Sequence, residues 1–452
     1  MISFGPFVGP VESIPAVRWS VRYTRAKARG AVVGGVGLMR SRFSTLIAVA
    51  LVASALALPL GTAEAAPAPM SLGTVTATSR TPKNCPAGFS CTTFSVQCPD
   101  VRAVATGTLA RADARGTLRG VAAFFSGGNG RAFWSDGSDN ALPFLGTLQA
   151  AGLRVFQVRW DSPSWLASSS GEQAGPARLA CRPASVIKWL HDANPVPSSP
   201  GRCGFCISGQ SAGASQVSYA LARYGLDSIV SVMVPTSGPP HADIAQGCLS
   251  SAGTPGNFPP KSSGALMDLS YGYAAGGGPC ARQDRSFASR WNADGVDDNG
   301  DYFYPSTSVV FVFGDRDTNP ADPHARKYVA QLRAAHSPDV TVVTIHCMTH
   351  GVQDSADGLA AMRAALLGRP VSSTSTSAAC PGKGKATSSG GGDSAKSSTA
   401  KEKASISGVT PTSSRSSSRE WLIILAVAII AFLFGATARW RNLHFRAEKD
   451  AS

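Results

Sequence analysis

A strand, a sharp turn and a helix are predicted within residues 203–224, and this stretch constrains the fold more than any other part of the chain. The apolar run at residues 205–207 is typical of a buried strand, and apolar side chains recur at helical spacing after Gly213. Glycines two positions either side of Ser211 let strand and helix approach closely while the serine adopts strained backbone geometry. Such a turn leaves the serine hydroxyl exposed, so Ser211 is a candidate nucleophile. The alternative is an ordinary glycine-rich turn without a catalytic role.

Strands alternate with helices on both sides of this turn. Apolar runs of strand length occupy residues 121–125, 155–160, 229–234, 309–313 and 340–345, and helical spacing appears at 177–191, 324–335 and 356–367. This alternation is typical of a parallel sheet with both faces covered. The sequence therefore predicts an α/β fold with a doubly wound, mostly parallel sheet, preceded over residues 66–104 by a strand region stapled by cysteines.

Residues 236–307 break the alternation and are rich in Gly, Pro and aromatic side chains. A structureless stretch of this length is improbable in a compact domain, so we expect a cap or lid over the site. Cys248 and Cys280 both lie inside it, and we expect them to form a disulfide. Its aromatic residues are expected to form an apolar wall for the substrate: Tyr271, Tyr273, Trp291, Tyr302, Phe303 and Tyr304.

The acidic run at residues 294–301 of the insertion resembles a calcium-binding loop. The register that places Gly300 correctly lacks an acid at its first position, and Ser306 stands where a bidentate Glu belongs. A solvated acidic turn is the favoured interpretation, and no metal is predicted.

Ten cysteines, an even number, lie between the two apolar segments near the ends of the chain. This distribution is typical of a chain oxidised outside the cytosol. Cys203 and Cys206 resemble a thioredoxin redox motif, but that motif opens a helix whereas this pair precedes a strand. A structural disulfide is favoured over a redox pair, and zinc is disfavoured because no second Cys or His pair stands at ligand spacing.

The amino-terminal part of the chain predicts export. Residues 1–38 are basic and lack apolar periodicity, as expected if the start codon has been assigned too early. Residues 39–65 contain a short basic stretch, an apolar run and a small-residue cleavage site, the three parts of a signal peptide. The catalytic domain is expected to span residues 66–370.

The carboxyl-terminal part predicts a membrane anchor. Residues 371–419, rich in Ser, Thr, Gly and Lys, bury too little surface to fold and are expected to be a disordered linker. Residues 420–440 are predicted as one transmembrane helix with a tryptophan near each end, and residues 441–452 as a basic cytoplasmic tail. The sequence thus predicts a single-pass protein of the cell membrane with its catalytic domain outside.

The formal net charge of +14 is concentrated in the two ends of the chain. Residues 66–370 hold 24 Lys and Arg against 21 Asp and Glu, a net charge of +3. Without a basic stripe or an RNA-binding signature there, no nucleic-acid partner is expected.

A serine hydroxyl needs a base, and the base needs an orienting acid. His350 lies just past the last predicted strand, where it can reach the catalytic edge of the sheet, whereas His346 is closer to the strand and is interpreted as structural. Asp317 is preferred to Asp315 as the acid because it lies further out in its loop. Asp315 is expected to pair with Arg316 or to cap the turn.

Residues 126–130, Ser-Gly-Gly-Asn-Gly, follow a predicted strand and can direct backbone N–H groups at an anion. The loop is the natural second half of an oxyanion hole, and the alternative is a flexible turn.

Over residues 105–370, the Gly209-to-Gly213 motif, Asp317, His350 and the strand–helix rhythm resemble the α/β-hydrolase superfamily. The resemblance implies an acyl-enzyme mechanism in which Ser211 attacks, His350 moves the proton and Asp317 holds the imidazole. It also implies an oxyanion hole formed by the N–H of Ala212 and one from residues 127–129, taken here as Gly128. No cofactor is implied. The loop at 126–130 departs from the lipase His-Gly-Gly-Gly pattern by lacking the histidine.

Three functions are compatible with these features. Hydrolysis of a small-molecule or lipid-like carboxylic ester is favoured, because the family most often cleaves such esters. Acyl transfer by the same triad is the second, and a catalytically inactive surface binding module is the third.

Overall fold

A nine-stranded sheet forms the centre of the computed structural model, which describes residues 67–78, 82, 84–196, 202–374 and 380. Its strands are β1 (Thr74–Thr78), β2 (Ser90–Gln97), β3 (Ala105–Ala112), β4 (Gly120–Phe125), β5 (Leu153–Trp160), β6 (Phe205–Gln210), β7 (Val232–Thr236), β8 (Ser308–Gly314) and β9 (Val340–Ile345). They are ordered β1-β2-β3-β5-β4-β6-β7-β8-β9. The first three strands are antiparallel, β3 is antiparallel to β5, and the remaining pairs are parallel.

Nine α-helices connect and flank the strands within the described residues. They are α1 (Ala141–Ala150), α2 (Gly175–Leu179), α3 (Cys181–Ala193), α4 (Ala212–Ala222), α5 (Ile244–Leu249), α6 (Ser263–Ser270), α7 (Ala288–Asp294), α8 (Ala321–Ala334) and α9 (Ala356–Leu366). Short 3-10 helices occupy Trp134–Gly137, Leu226–Ser228, Arg285–Phe287 and Val352–Asp354.

Both faces of the sheet are buried, as the alternation of strands and helices predicts. Every residue of β4 is buried, with Val121, Ala123 and Phe125 in one apolar cluster and Ala122 and Phe124 in the other. Side chains of α3, α4 and α8 cover the first face, and those of α1 and α9 cover the second. The doubly wound, mostly parallel architecture is confirmed.

Some element boundaries differ from the sequence predictions. The strand expected at 229–234 is β7, Val232–Thr236, and the chain before it forms the 3-10 turn Leu226–Ser228. The helix expected at 177–191 is divided into α2 and α3. The sequence predictions also missed β3, whose residues include Gly, Thr and Arg rather than a continuous apolar run.

The insertion between β7 and β8 has the helices α5, α6 and α7, and its disulfide between Cys248 and Cys280 is confirmed. The predicted aromatic wall is wrong for three of its members. Tyr271, Trp291 and Tyr304 are fully buried, so they offer no surface to a substrate. They pack inside the protein instead; for example, the Tyr304 hydroxyl lies 2.9 Å from that of Tyr328. Phe303, by contrast, is 50% exposed.

The loop that resembles a calcium site is organised around a guanidinium group. Arg223, at the end of α4, donates hydrogen bonds to the backbone oxygens of Ala293, Gly295 and Asn299. Asp294 is not part of a solvated turn, because its carboxylate accepts a 2.7 Å hydrogen bond from the Tyr271 hydroxyl and burial raises its pKa. Arg223 therefore fixes the backbone at the start and in the middle of this loop.

All ten cysteines are in disulfides. The pairs are Cys85–Cys91, Cys98–Cys181, Cys203–Cys206, Cys248–Cys280 and Cys347–Cys380. Cys203 and Cys206 lie at the entrance to β6, as the structural interpretation of that pair expects.

The predictions for the two ends of the chain lie outside the described residues. This applies to the basic extension at 1–38, the signal peptide at 39–65, the helix at 420–440, the tail at 441–452, and all of the linker at 371–419 except residues 371–374 and 380. None of the helices in the described part of the chain is long and apolar enough to cross a membrane.

Candidate active site

The candidate site lies at the carboxyl ends of β4 and β6, which are neighbours in the sheet. After β4 the chain moves to β5 on one side, whereas after β6 it moves to β7 on the other. The strand order therefore reverses between β4 and β6, and such switch points form crevices at the carboxyl edge of α/β sheets. The loop at 126–130 follows β4, and Ser211 follows β6.

Ser211 occupies the turn between β6 and α4 with φ 55° and ψ −124°, a conformation that is strained for a residue with a Cβ. The two flanking glycines permit it. A Cβ on Gly209 would lie 2.1 Å from the backbone oxygen of Gly213, and one on Gly213 would lie 2.2 Å from that of Phe125. The backbone N–H of Ser211 donates to Thr236 at 2.9 Å, which fixes the turn against β7.

Asp317 and His350 are brought together from the loops after β8 and β9. Nδ1 of His350 lies 2.9 Å from Oδ2 of Asp317, and the side chains are 29% and 1% exposed respectively. The other carboxylate oxygen accepts the backbone N–H of Asn319 at 2.8 Å. The backbone N–H of Arg316 donates to the oxygen of Met348, which joins the two loops.

A serine in a strained strand-to-helix turn, followed in chain order by an acid and a histidine at the same edge of a mostly parallel sheet, is the arrangement of the α/β hydrolases. The fold is that of an α/β hydrolase.

A second histidine–carboxylate pair lies beside this one in the hydrolase fold. Oδ2 of Asp315 is 2.6 Å from Nδ1 of His346, and its other oxygen accepts the backbone N–H of Cys347 at 2.8 Å. The hydrogen bond with His346 lowers the pKa of Asp315. The structural interpretation of His346 agrees with this contact. The charge of Arg316, the residue with which Asp315 was expected to pair, contributes less to the lowered pKa of Asp315 than the hydrogen bond with His346 does.

The loop at 126–130 lies against the serine turn. A Cβ on Gly127 would be 3.1 Å from Cβ of Ser211, whereas one on Gly128 would meet no atom within 4 Å. The backbone N–H groups of both glycines donate to no acceptor in the part of the chain that the structure describes. Ala212 is the first residue of α4, where N–H groups lack a partner within the helix.

Two glutamines connect these parts, and neither role was predicted from the sequence. The side-chain amide of Gln210 donates to the backbone oxygen of His350 at 3.1 Å, and its Oε1 is 2.7 Å from the position of a Cβ on Gly127. Gln216, fully buried in α4, accepts from the Trp160 indole at 2.9 Å and donates to the oxygen of Ser126. The only sequence signal for these roles is position: Gln210 lies next to Ser211, and Gln216 lies just over one helical turn after it.

Comparisons with known proteins give structural neighbours only. No model of a protein family matches the sequence, and no curated protein matches it. Similar solved structures include Est1E from Butyrivibrio proteoclasticus, with 15% identity, a TM-score of 0.39, and coverage of 62% of this chain and 99% of that one. They also include an acylaminoacyl peptidase from Pyrococcus horikoshii, with 11% identity, a TM-score of 0.40, and coverage of 62% and 40%.

A bacterial heroin esterase is similar at 14% identity and a TM-score of 0.38, with coverage of 62% of this chain and 85% of that one. This chain spans 40% of the length of the acylaminoacyl peptidase. Likenesses at these identities and TM-scores carry no information on substrate.

Proposed function

We propose that this chain is a serine hydrolase that cleaves carboxylic esters through an acyl-enzyme, with Ser211 as nucleophile, His350 as base and Asp317 as orienting acid. The observation that carries the proposal is the 2.9 Å contact of His350 with the buried Asp317, tied to the serine turn by the amide of Gln210. A histidine held by a buried carboxylate beside a strained serine is the arrangement that activates a hydroxyl.

In the first step, Oγ of Ser211 attacks the carbonyl carbon of the ester and transfers its proton to Nε2 of His350. Asp317 stabilises the resulting imidazolium through Nδ1–H. The tetrahedral intermediate then collapses as His350 returns the proton to the departing alcohol, leaving an acyl-serine. Water, deprotonated by the same imidazole, releases the acid and restores the serine hydroxyl.

The negative charge of each intermediate needs fixed donors. We assign these to the N–H of Ala212, at the positive end of α4, and the N–H of Gly128 in the loop after β4. Support comes from the unpaired N–H of Gly128 and from the position of its neighbour Gly127, where an added Cβ would lie 3.1 Å from Cβ of Ser211.

The proposed location is outside the cell, with the domain held by a single membrane helix at residues 420–440. This part of the proposal rests on the signal-like residues 39–65 and on the uncharged run within 420–440. The five disulfides, which include every cysteine, suit an oxidising compartment.

The test combines a fluorophosphonate probe with a substrate series on the purified full-length chain. We expect labelling at Ser211 and turnover of p-nitrophenyl esters of graded acyl length, with slower cleavage of the matching p-nitroanilides. Ser211→Ala should abolish labelling and lower turnover by about three orders of magnitude or more. His350→Ala should do the same, and the double variant should be no worse, because the two residues act as one unit.

Each alternative gives a different result. If an added alcohol speeds the loss of the substrate ester and the ester of that alcohol is the product, the protein is an acyltransferase. A folded chain that neither takes the label nor turns over any ester would indicate a binding module. Full ester turnover by a folded Ser211→Ala variant would remove the serine-hydrolase proposal.

A further inference from the structure

A concave site lies at the opposite edge of the sheet from Ser211. A cavity of about 890 Å³ opens where β4, β5 and β6 begin, and its lining includes Leu153, Gly204 and the carboxyl-terminal ends of α1 and α9. The strand β6 separates it from the serine turn, and six residues of strand span roughly 20 Å. The cavity is therefore distinct from the candidate active site.

Four arginines line this cavity, which we call the arginine pocket: Arg119, Arg202, Arg363 and Arg369. Arg119 also lines an adjoining cavity of about 150 Å³, together with Arg115. No aspartate or glutamate lines either cavity. The domain as a whole is nearly neutral, so this gathering of one sign of charge is a local feature.

The pocket arginines have no counter-charge among the described residues. Neither these four arginines nor Arg115 forms an ion pair or a side-chain hydrogen bond there, whereas the nearby Arg111 and Arg154 both pair with Asp113. Like charges that line one cavity repel one another, and an anion removes that repulsion. The unpaired state of these side chains leaves their N–H groups available to a ligand.

Helix ends do not explain the whole cluster. Arg363 lies in the last turn of α9, where a cation stabilises the exposed carbonyl groups. Arg119 and Arg202 come from the loops that enter β4 and β6 rather than from a helix. The disulfide between Cys203 and Cys206 fixes the chain directly after Arg202.

We propose that the arginine pocket binds a phosphate-bearing anion with at least two negative charges. The planar guanidinium group presents paired N–H donors that match two oxygens of a phosphate, and several such groups around one cavity favour more than one phosphate charge. A volume of about 890 Å³ lies in the range of small-molecule sites, roughly 300–1,000 Å³. Inorganic pyrophosphate and the phosphate-monoester headgroup of a phospholipid such as phosphatidic acid share this chemistry.

Isothermal titration of the full-length chain with inorganic pyrophosphate tests the proposal. We expect saturable binding to one site that weakens as salt is added. The double variants Arg119→Gln/Arg202→Gln and Arg363→Gln/Arg369→Gln should each bind about 10-fold or more weakly, because each loses charge-assisted hydrogen bonds. The matched control Arg285→Gln/Arg333→Gln removes the same charge from exposed positions elsewhere and should bind as the unsubstituted chain does.

A soluble short-chain phosphatidic acid, whose phosphate monoester can carry two negative charges, distinguishes the source of the phosphate in a second titration. Tighter binding of the lipid than of pyrophosphate, with the same dependence on the arginines, supports a lipid headgroup; the reverse order supports a soluble phosphate. Citrate serves as a polycarboxylate control. The proposal is overturned if neither phosphate probe binds saturably. It is also overturned if the control variant loses as much affinity as the pocket variants, or if citrate binds as tightly as the phosphate probes. An unchanged circular-dichroism spectrum and Tm in each variant show that the protein is folded.

Discussion

Oδ2 of Asp317 and Nδ1 of His350 are 2.9 Å apart, and the carboxylate is buried. An ionised carboxylate can only accept a hydrogen bond, so in the neutral imidazole Nδ1 carries the ring proton and Nε2 is left as an acceptor. That tautomer is the one that a general base requires.

Asp317→Asn should therefore lower turnover severely. The amide can donate to Nδ1 and favour the tautomer that carries its proton on Nε2, so we expect a loss of about 10⁴-fold in kcat. Steady-state kinetics with a p-nitrophenyl ester measure it.

Asp315→Asn is the matched control, because Asp315 holds His346 rather than His350. This variant should keep most of the activity, provided that circular dichroism shows an unchanged fold. The reverse order of activities would assign the orienting acid to Asp315.

Gln210→Met should reduce kcat with little change in KM. Methionine has a similar volume but cannot donate to the backbone oxygen of His350, so the base loop loses one tie to the serine turn. Loss of one such hydrogen bond corresponds to about 10-fold in kcat.

Gln149→Met, near the end of α1, is the control for the same chemical change at a position outside the candidate site. If Gln210→Met lowers thermal stability but leaves kcat unchanged at a temperature where the variant is folded, Gln210 has a structural role only. A shift in the pH profile of kcat/KM would instead support its role in positioning His350.

The sequence was sufficient for the local parts of this fold. Ser211, Asp317 and His350 each follow a strongly apolar strand, and the carboxyl ends of parallel strands share one edge of the sheet, so their loops could be expected to lie there. The elbow was predictable because its steric requirements lie within five residues, Gly209 to Gly213.

Contacts between distant segments could not be predicted in the same way. Gln216 reaches Ser126 across 90 residues of sequence, and the disulfide between Cys98 and Cys181 joins positions 83 residues apart. The fixed backbone of the loop at 294–301 was not predicted, because Arg223, which binds backbone oxygens there, lies more than 70 residues earlier in the chain. The composition of a segment does not reveal which distant side chain will form hydrogen bonds with its backbone groups.

Removal of the insertion disulfide should destabilise the domain more than removal of the one before β6. Cys248 and Cys280 are 32 residues apart, whereas Cys203 and Cys206 are 3 apart. In the chain-entropy model, the longer closed loop contributes about 4 kcal/mol and the shorter one about 2 kcal/mol.

Denaturant unfolding of the two double Cys→Ser variants under non-reducing conditions measures this difference. Equal losses of unfolding free energy would show that local packing, and not chain entropy, sets the contribution of the insertion disulfide.

The carboxyl group of Asp297 should make stability fall as pH rises towards neutrality. Burial, and next the charge of Asp243, raises the pKa of Asp297 to about 7, against about 3.9 in an unfolded chain. Between these two values the folded state retains a proton that the unfolded state has lost, so its stability decreases with increasing pH. Asp297→Asn mimics the protonated form at every pH, and its stability advantage should therefore grow from about pH 4 to about pH 7 and then level off.

Thermal unfolding of both proteins across this range gives the advantage as a difference in Tm. Burial lowers the pKa of His241 to about 3, which makes stability rise with pH over part of the same range, but that contribution is common to both proteins and cancels in the difference. Asp298→Asn, at the exposed neighbouring position, controls for the loss of one negative charge. A difference in Tm that stays constant from pH 4 to 8 would mean that Asp297 titrates alike in the folded and unfolded chains.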